Sequence, residues 1–268
     1  MIEFIKAIFL GIVEGIPEWP PISSTGHMIL VNEFIGNSGF TASDLFLYVI
    51  QLGAILAVVT LYFKKLNPFS PKKSAAEKKD TWQMWFKVIV ACIPAGIFGL
   101  LLNDYMERFE NWQVVSATLI IYGIAFLAVE NLRKKEKITS VSEMSYKTAV
   151  LVGLFQVLSI IPGTSRSGST ILGGMMTGLS REVAAEFSFF LAIPVMFGVS
   201  FLKIITYEGI ISGLDIAVLI TAMVVAYVVS MASIKFLVDF VKKHNFKPFG
   251  WYRMALGAVV ILYFTLIK

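Results

Sequence analysis

The sequence predicts an all-α polytopic membrane protein built as an inverted-topology repeat. Each half would hold one re-entrant helix hairpin plus three transmembrane helices. Three observations carry this. Of the 268 residues, 57% are hydrophobic and 15% charged, and the mean hydropathy is +0.77; soluble domains carry about a quarter charged residues. Several apolar runs reach the ~20 residues that cross a bilayer core. The chain also resembles itself at an offset of 142, where Gly11 to Leu30 falls on Gly153 to Leu172 with six identities in twenty positions. Those identities include Pro20 over Pro162, Ser23 over Ser165 and Gly26 over Gly168. The chain then reads as a single membrane domain, 1–268, with repeat one at about 1–135 and repeat two at about 145–268.

Residues 4–16 and 22–35 are apolar segments too short to span, separated by a turn rich in proline. At 1.5 Å per residue each would reach roughly 18–21 Å, short of a ~30 Å core. Irregular backbone at that depth requires surrounding protein or a water-filled cavity, which suggests a re-entrant hairpin. Spans follow at about 42–63, 84–103 and 112–132. Residues 148–178 repeat the broken pattern around Pro162 to Thr170, and spans follow near 183–204, 214–238 and 249–267. Each half thus carries three spans, an odd number, so the second half enters the membrane upside down. The N-terminal apolar stretch lacks a basic leader and reads as part of the mature fold.

The loops at 64–82, 133–147 and 239–248 are rich in lysine, whereas the turns at 104–111 and 205–213 are acidic. The positive-inside rule places the former in the cytoplasm and both termini outside. The net charge of +5 is then a matter of topology, and no nucleic-acid partner is expected. The bilayer is the expected partner, and a homodimer is compatible with the sequence. Cys92 is the single cysteine, which excludes an internal disulfide and suits a packing role. Lys87, Glu130 and Arg253 fall near span ends and are expected to snorkel to the interface.

The polar groups concentrate in two stretches. The first holds Glu14, Glu18, Ser23, Ser24, Thr25 and His27; the second holds Ser165, Arg166 and Ser167. Ionisable groups inside a membrane segment mark a functional site by default. Hairpins entering from opposite sides would let the two turns face each other near the midplane. Arg166 is a permanently charged fork suited to phosphate oxygens. Ser23, Thr25 and Gly26, like Ser165 and Ser167, sit where half-helices start and backbone N–H groups can bind an anion. Ser23 and Ser24 precede His27 by four and three residues, so either hydroxyl can share a helix face with the imidazole. Glu14 and Glu18 face one way only if the helix survives past Pro17.

An anion hole, hydroxyls, an imidazole and two carboxylates point to phosphoryl transfer. Either a hydroxyl attacks phosphorus with His27 as base, or the hydroxyls bind and a water attacks. Glu14 and Glu18 would hold a divalent cation, Mg²⁺ or Ca²⁺. For any single Ser or Thr at these helix starts, capping is at least as good an explanation. A membrane transporter or polyprenyl-phosphate flippase is the competing class, because midplane Glu, His and Arg in an inverted repeat also serve transport. Clustered hydroxyls opposite an arginine exceed what a proton relay requires.

The motifs Glu-Gly-x-x-Glu-x-x-Pro-x-Ser-Ser-Thr-Gly-His at 14–27 and Pro-Gly-x-Ser-Arg-Ser-Gly-x-Thr at 162–170 resemble those of the undecaprenyl-diphosphate phosphatase, or bacitracin-resistance protein, family. The resemblance extends to Val49-Ile-Gln-Leu-Gly53 and Glu186-Phe-Ser-Phe189. It implies a multi-pass enzyme of the bacterial cytoplasmic membrane with its site facing the outer side. Such an enzyme hydrolyses a C55 polyprenyl diphosphate lipid to undecaprenyl phosphate and inorganic phosphate, recycling the lipid carrier of cell-wall (peptidoglycan) synthesis and conferring bacitracin resistance. The family's functional residues fall on Glu14, Glu18, Ser24, His27 and Arg166, with Ser23, Thr25 and Ser165 nearby, and the family is associated with divalent cations. The segment Pro17-Glu18-Trp19-Pro20-Pro21 departs from the family's usual Glu-aromatic-Leu-Pro, and its extra prolines would shorten the first helix. The acid-phosphatase superfamily of lipid phosphatases is excluded: its nucleophilic histidine, six residues after Ser-Arg, is Leu172 here.

Overall fold

The computed structural model describes residues 1–35, 39–109, 111–132 and 136–266. Within a helix, the side chains of Thr25, Ile29, residues 32–35, Asn103, Asp104 and Glu107 lie outside the described set. The acidic turn expected at Asp104, Glu107 and Glu110 and the basic run Arg133 to Lys135 therefore fall largely outside it.

Local sequence signals set the helix ends. Helix α1 (Ile2–Gly15) stops just before Pro17, which offers no N–H. Its last carbonyls are taken instead by two serines far along the chain: Ser230 Oγ donates to Gly15 O at 3.4 Å and Ser233 Oγ to Ile16 O at 2.9 Å. After a turn, α2 (Ser24–Ile35) is followed by α3 (Asp44–Leu61), which Ser43 caps by accepting from Phe46 N at 3.2 Å. Short α4 (Phe63–Leu66) precedes α5 (Ala75–Glu107), which opens on a reciprocal Ser74/Glu77 capping box. That box starts α5 well before the expected residue 84, so much of the lysine-rich stretch 64–82 is helical.

Helix α6 (Trp112–Leu132) is capped by Asn111, and α7 (Tyr146–Val157) by Ser145. Helix α8 (Arg166–Met176) follows a single 3₁₀ turn and the Pro162–Gly163 break. Ser180 caps α9 (Arg181–Ile205). A Ser212/Asp215 box opens α10 (Gly213–Lys243), and α11 (Lys247–Leu266) completes the chain. α10 continues past the expected residue 238 to its lysines, whose charge suits a helix C-terminus.

Six described helices, α3, α5, α6, α9, α10 and α11, are long and apolar enough to cross a bilayer. Among the described residues there is no strand beyond one isolated bridge, Ile138 to Leu179. The chain is thus an all-helical, multi-pass membrane protein. α1, α2, α7 and α8 have 14, 12, 12 and 11 residues, hence roughly 17–21 Å at 1.5 Å per residue. One contact flanks each short pair: Thr41 donates to Glu3 at 3.1 Å after α2, and after α8 Ser180 N donates to Ile138 O at 2.9 Å.

The short pairs are wedged between long helices. α1 packs on α10, and α7 on α5. Glycines permit the approach: an added Cβ at Gly11 would lie 2.8 Å from Ala222 O, and one at Gly153 would collide with Ala91 O. α3 packs on α9 and α10, and α6 pairs with α11. Beneath the polar turns, Trp19, Phe187, Phe189 and Phe190 are fully buried, with Trp19 edge-on to Phe189 at 5.5 Å.

The expectation that Lys87, Glu130 and Arg253 snorkel is wrong for all three, because each finds fixed partners inside the protein. Lys87 Nζ donates to Val141 O and Ser142 O at 3.0 and 2.9 Å. Glu130 accepts both a fork from Arg181, at 2.9 and 2.6 Å, and Phe246 N. Arg253 belongs to the polar centre.

Candidate active site

Only two described non-glycine residues have positive φ, Ser23 at 71° and Ser165 at 72°. They stand 142 apart in sequence, one residue before α2 and α8 respectively. Left-handed backbone costs a non-glycine residue on the order of 1–3 kcal/mol. In return each side chain caps its helix: Ser23 Oγ accepts from Gly26 N at 3.4 Å and Ser165 Oγ from Gly168 N at 3.1 Å. The corners aim the first turns of α2 and α8, and with them Ser24 and Arg166, at one another.

The two turns meet. Arg166 Nη2 lies 2.8 Å from Glu18 Oε1, and the pair is about nine-tenths buried, at 11% and 10% side-chain exposure. The other fork nitrogen donates to Ser188 O at 2.9 Å, and the guanidinium stands over the Trp19 ring at 5.8 Å. Ser24 Oγ donates to the remaining oxygen of Glu18 at 3.2 Å. One carboxylate thus joins the hydroxyl of one turn to the arginine of the other. Ser167 Oγ bonds Pro20 O at 3.4 Å and Ser165 Oγ at 3.1 Å, closing a second, weaker link.

Glu14 is 3% exposed, and its Oε1 has no hydrogen-bond partner among the described residues. It lies within electrostatic reach of Glu18 and Arg166. Since α1 ends at Gly15, Glu14 stays on the helix and Glu18 belongs to the turn, so the two do not share a helical face. Gln156, at the Glu14 position of the second repeat, is 1% exposed with both amide atoms unpartnered among the described residues. Unpaired polar atoms at such depth are costly, and a ligand or water would satisfy them.

His27 is placed differently from the hydroxyl-and-imidazole pairing the spacing suggests. Its Nδ1 lies 2.7 Å from Ser23 O, and its Nε2 is 2.7 Å from Tyr252 OH, with the rings stacked at 5.6 Å. A carbonyl only accepts, so Nδ1 carries the proton and the neutral ring's Nε2 accepts from the tyrosine. The imidazole therefore holds the strained Ser23 corner, while the group bonded to the Ser24 hydroxyl is Glu18. The Thr25 side chain lies outside the described set. Gly26 N is already engaged by Ser23, and its Cα faces Leu119 and Leu256.

Arg253 was missed by sequence reasoning. It is fully buried, donates to Pro21 O at 3.1 Å and to Gly163 O and Thr164 O at 2.9 and 3.1 Å, and stands over the Tyr122 ring at 5.3 Å. One guanidinium clamps the carbonyls of both turns. Tyr122 in turn accepts from Ser169 at 3.1 Å. The signal available was Tyr252-Arg253 inside an otherwise apolar span.

Residues 7–259 match the family described as bacitracin resistance protein BacA. The chain belongs to that family. Curated relatives carry the name undecaprenyl-diphosphatase. One from Lactiplantibacillus plantarum is 55% identical, covering 100% of both chains. One from Enterococcus faecalis is 57% identical, covering 96% of each, and one from Streptococcus thermophilus is 56% identical over 98% of this chain and 94% of the relative. For a BacA-family chain, the convergence of Glu18, Ser24 and Arg166 places the residues of both long motifs within one polar centre.

Proposed function

We propose that this protein is an integral membrane phosphatase that hydrolyses undecaprenyl diphosphate to undecaprenyl phosphate and inorganic phosphate. Membership of a family whose relatives are named for that reaction supports it. The observation that carries it to individual residues is Glu18 held between Ser24 and Arg166. Arg166 and the first N–H groups of α2 and α8 favour phosphate oxygens. In the bound state the arginine shares its fork with the terminal phosphate. Ser24 Oγ passes its proton to Glu18 and attacks the terminal phosphorus; the new O–P bond replaces the bridging P–O bond, and the lipid monophosphate leaves. Water then cleaves the serine phosphate ester and releases phosphate. A transporter or flippase does not need this hydroxyl–carboxylate pair.

Glu14, and Glu18 through the Oε1 that Arg166 gives up as it turns to the phosphate, would hold a divalent cation, Mg²⁺ or Ca²⁺, leaving Glu18 Oε2 to accept the Ser24 proton. Two hard carboxylates, one with an unpartnered buried oxygen, fit such an ion when substrate phosphates complete its shell. Bound there, it neutralises diphosphate charge. His27 acts as a positioning residue through the Ser23 carbonyl.

The architecture that supports this site is an inverted repeat with re-entrant hairpins. The matched left-handed serines, the short helix pairs each flanked by one contact, and the reciprocal packing of α1 on α10 and α7 on α5 all favour it. Basic residues near one end each of α3, α5 and α10 favour the cytoplasm for those ends, and the site is read as open to the outer side, as the family resemblance implies. The test is rapid quenching of detergent-solubilised protein with undecaprenyl diphosphate, followed by peptide mass spectrometry. Phosphate on Ser24 is expected; turnover by a Ser24→Ala variant at the wild-type rate would instead make water the nucleophile.

A further inference from the structure

A diphosphate bound among buried polar turns leaves a long apolar tail that must reach the bilayer by an apolar route. Between α5 and α9 runs a groove of about 530 Å³ lined by Cys92, Gly96, Gly99, Pro194, Gly198 and Lys203 among others. Cys92, Gly96 and Gly99 recur at helical spacing on one face of α5, and Pro194, Gly198 and Leu202 follow one side of α9. A side chain added at Gly96, Gly99 or Gly198 meets nothing within 4 Å, so these glycines keep space open rather than allow close packing. Its walls continue into exposed apolar residues, Leu100 at 77% and Phe201 at 62%.

One end of the groove, at Cys92, lies close to the polar centre. Cys92 Sγ stands 4.0 Å from Leu191 O, and Leu191 lies three residues beyond Ser188, whose carbonyl holds Arg166. Cys92 is also within electrostatic reach of Arg166. The matching seam of the other repeat, α3 against α10, is shut: a Cβ on Gly53 would collide with the Met223 backbone. Openness is therefore a property of this one seam and not of the architecture.

We propose that the α5–α9 groove binds the prenyl tail of the lipid substrate and leads it from Arg166 into the bilayer. This rests on the phosphatase reading of the site. The glycines give the branched chain a path without large side chains that opens sideways to the bilayer past the exposed Leu100, while Lys203, 2.8 Å from Asp44 and 4.9 Å from the Tyr48 ring, marks the groove's polar limit, which the tail does not cross.

Two measurements test the groove. A farnesyl phosphate with a diazirine in its terminal unit, photolysed with the wild-type protein in nanodiscs, should crosslink to residues 92–100 and 194–206 and be competed by undecaprenyl phosphate. Crosslinks confined to other helices would overturn the proposal. In the second, a Gly96→Leu/Gly198→Leu variant, which fills open space and raises helix propensity, should raise KM for undecaprenyl diphosphate at least about tenfold with kcat little changed. An unchanged KM contradicts it. The crosslink needs no turnover, so failure of the phosphatase reading would appear separately, as absent phosphate release by the wild type.

Discussion

Glu18 is the residue on which the site turns, because its two oxygens bind groups from opposite ends of the sequence. The sequence names Glu18, Ser24 and Arg166, yet it does not say which acceptor the Ser24 hydroxyl finds. Helical spacing suggests His27, but that imidazole points away from the hydroxyl and is held by Ser23 O and Tyr252. The difference lies in a contact between residues 225 apart, which no local periodicity reveals. A nitrogen-15 NMR spectrum of the imidazoles, with His244 replaced to leave one signal set, should give Nδ1 protonated and Nε2 bare in His27. A Tyr252→Phe change should lower kcat with little effect on KM and disturb that tautomer; a protonated Nε2 in the wild type would refute the assignment.

At the scale of elements, helix starts are encoded locally, although apolar run length alone places the start of α5 at 84 instead of Ala75. Ser74-x-x-Glu77 and Ser212-x-x-Asp215 are written in four residues each and set the starts of the two longest helices. The shortness of α1, α2, α7 and α8 is legible through run length and the Gly/Pro breaks. The part that is not legible is what stops the turns from separating. Arg253 does this from α11, and because long basic side chains near span ends commonly snorkel, its position argued for the interface. The three carbonyls it serves come from segments about 90 and 230 residues away. Replacing it with methionine leaves buried carbonyls unpaired and should cost about 3 kcal/mol or more. Thermal unfolding in detergent would register this as a lowered midpoint, with activity lost through separation of the turns. An unchanged midpoint would make the clamp incidental.

For the whole molecule, six long apolar helices follow from composition and run length. Their mutual arrangement rests on helix contacts permitted by Gly11, Gly53 and Gly153, whose roles are invisible without the neighbours they meet. Topology is testable independently of chemistry. In a Cys92→Ser background, a cysteine at Lys72 should resist an impermeant maleimide applied to intact cells, and one at the fully exposed Ile210 should react; the reverse pattern would invert the protein. The most direct test of the central claim, that the two turns form one phosphatase site, is phosphate release from undecaprenyl diphosphate by purified wild-type and Arg166→Ala protein. The wild type should turn over, and the variant should lose about 100- to 1,000-fold in kcat. Full activity in the variant, or none in the wild type with the lipid bound, would contradict it.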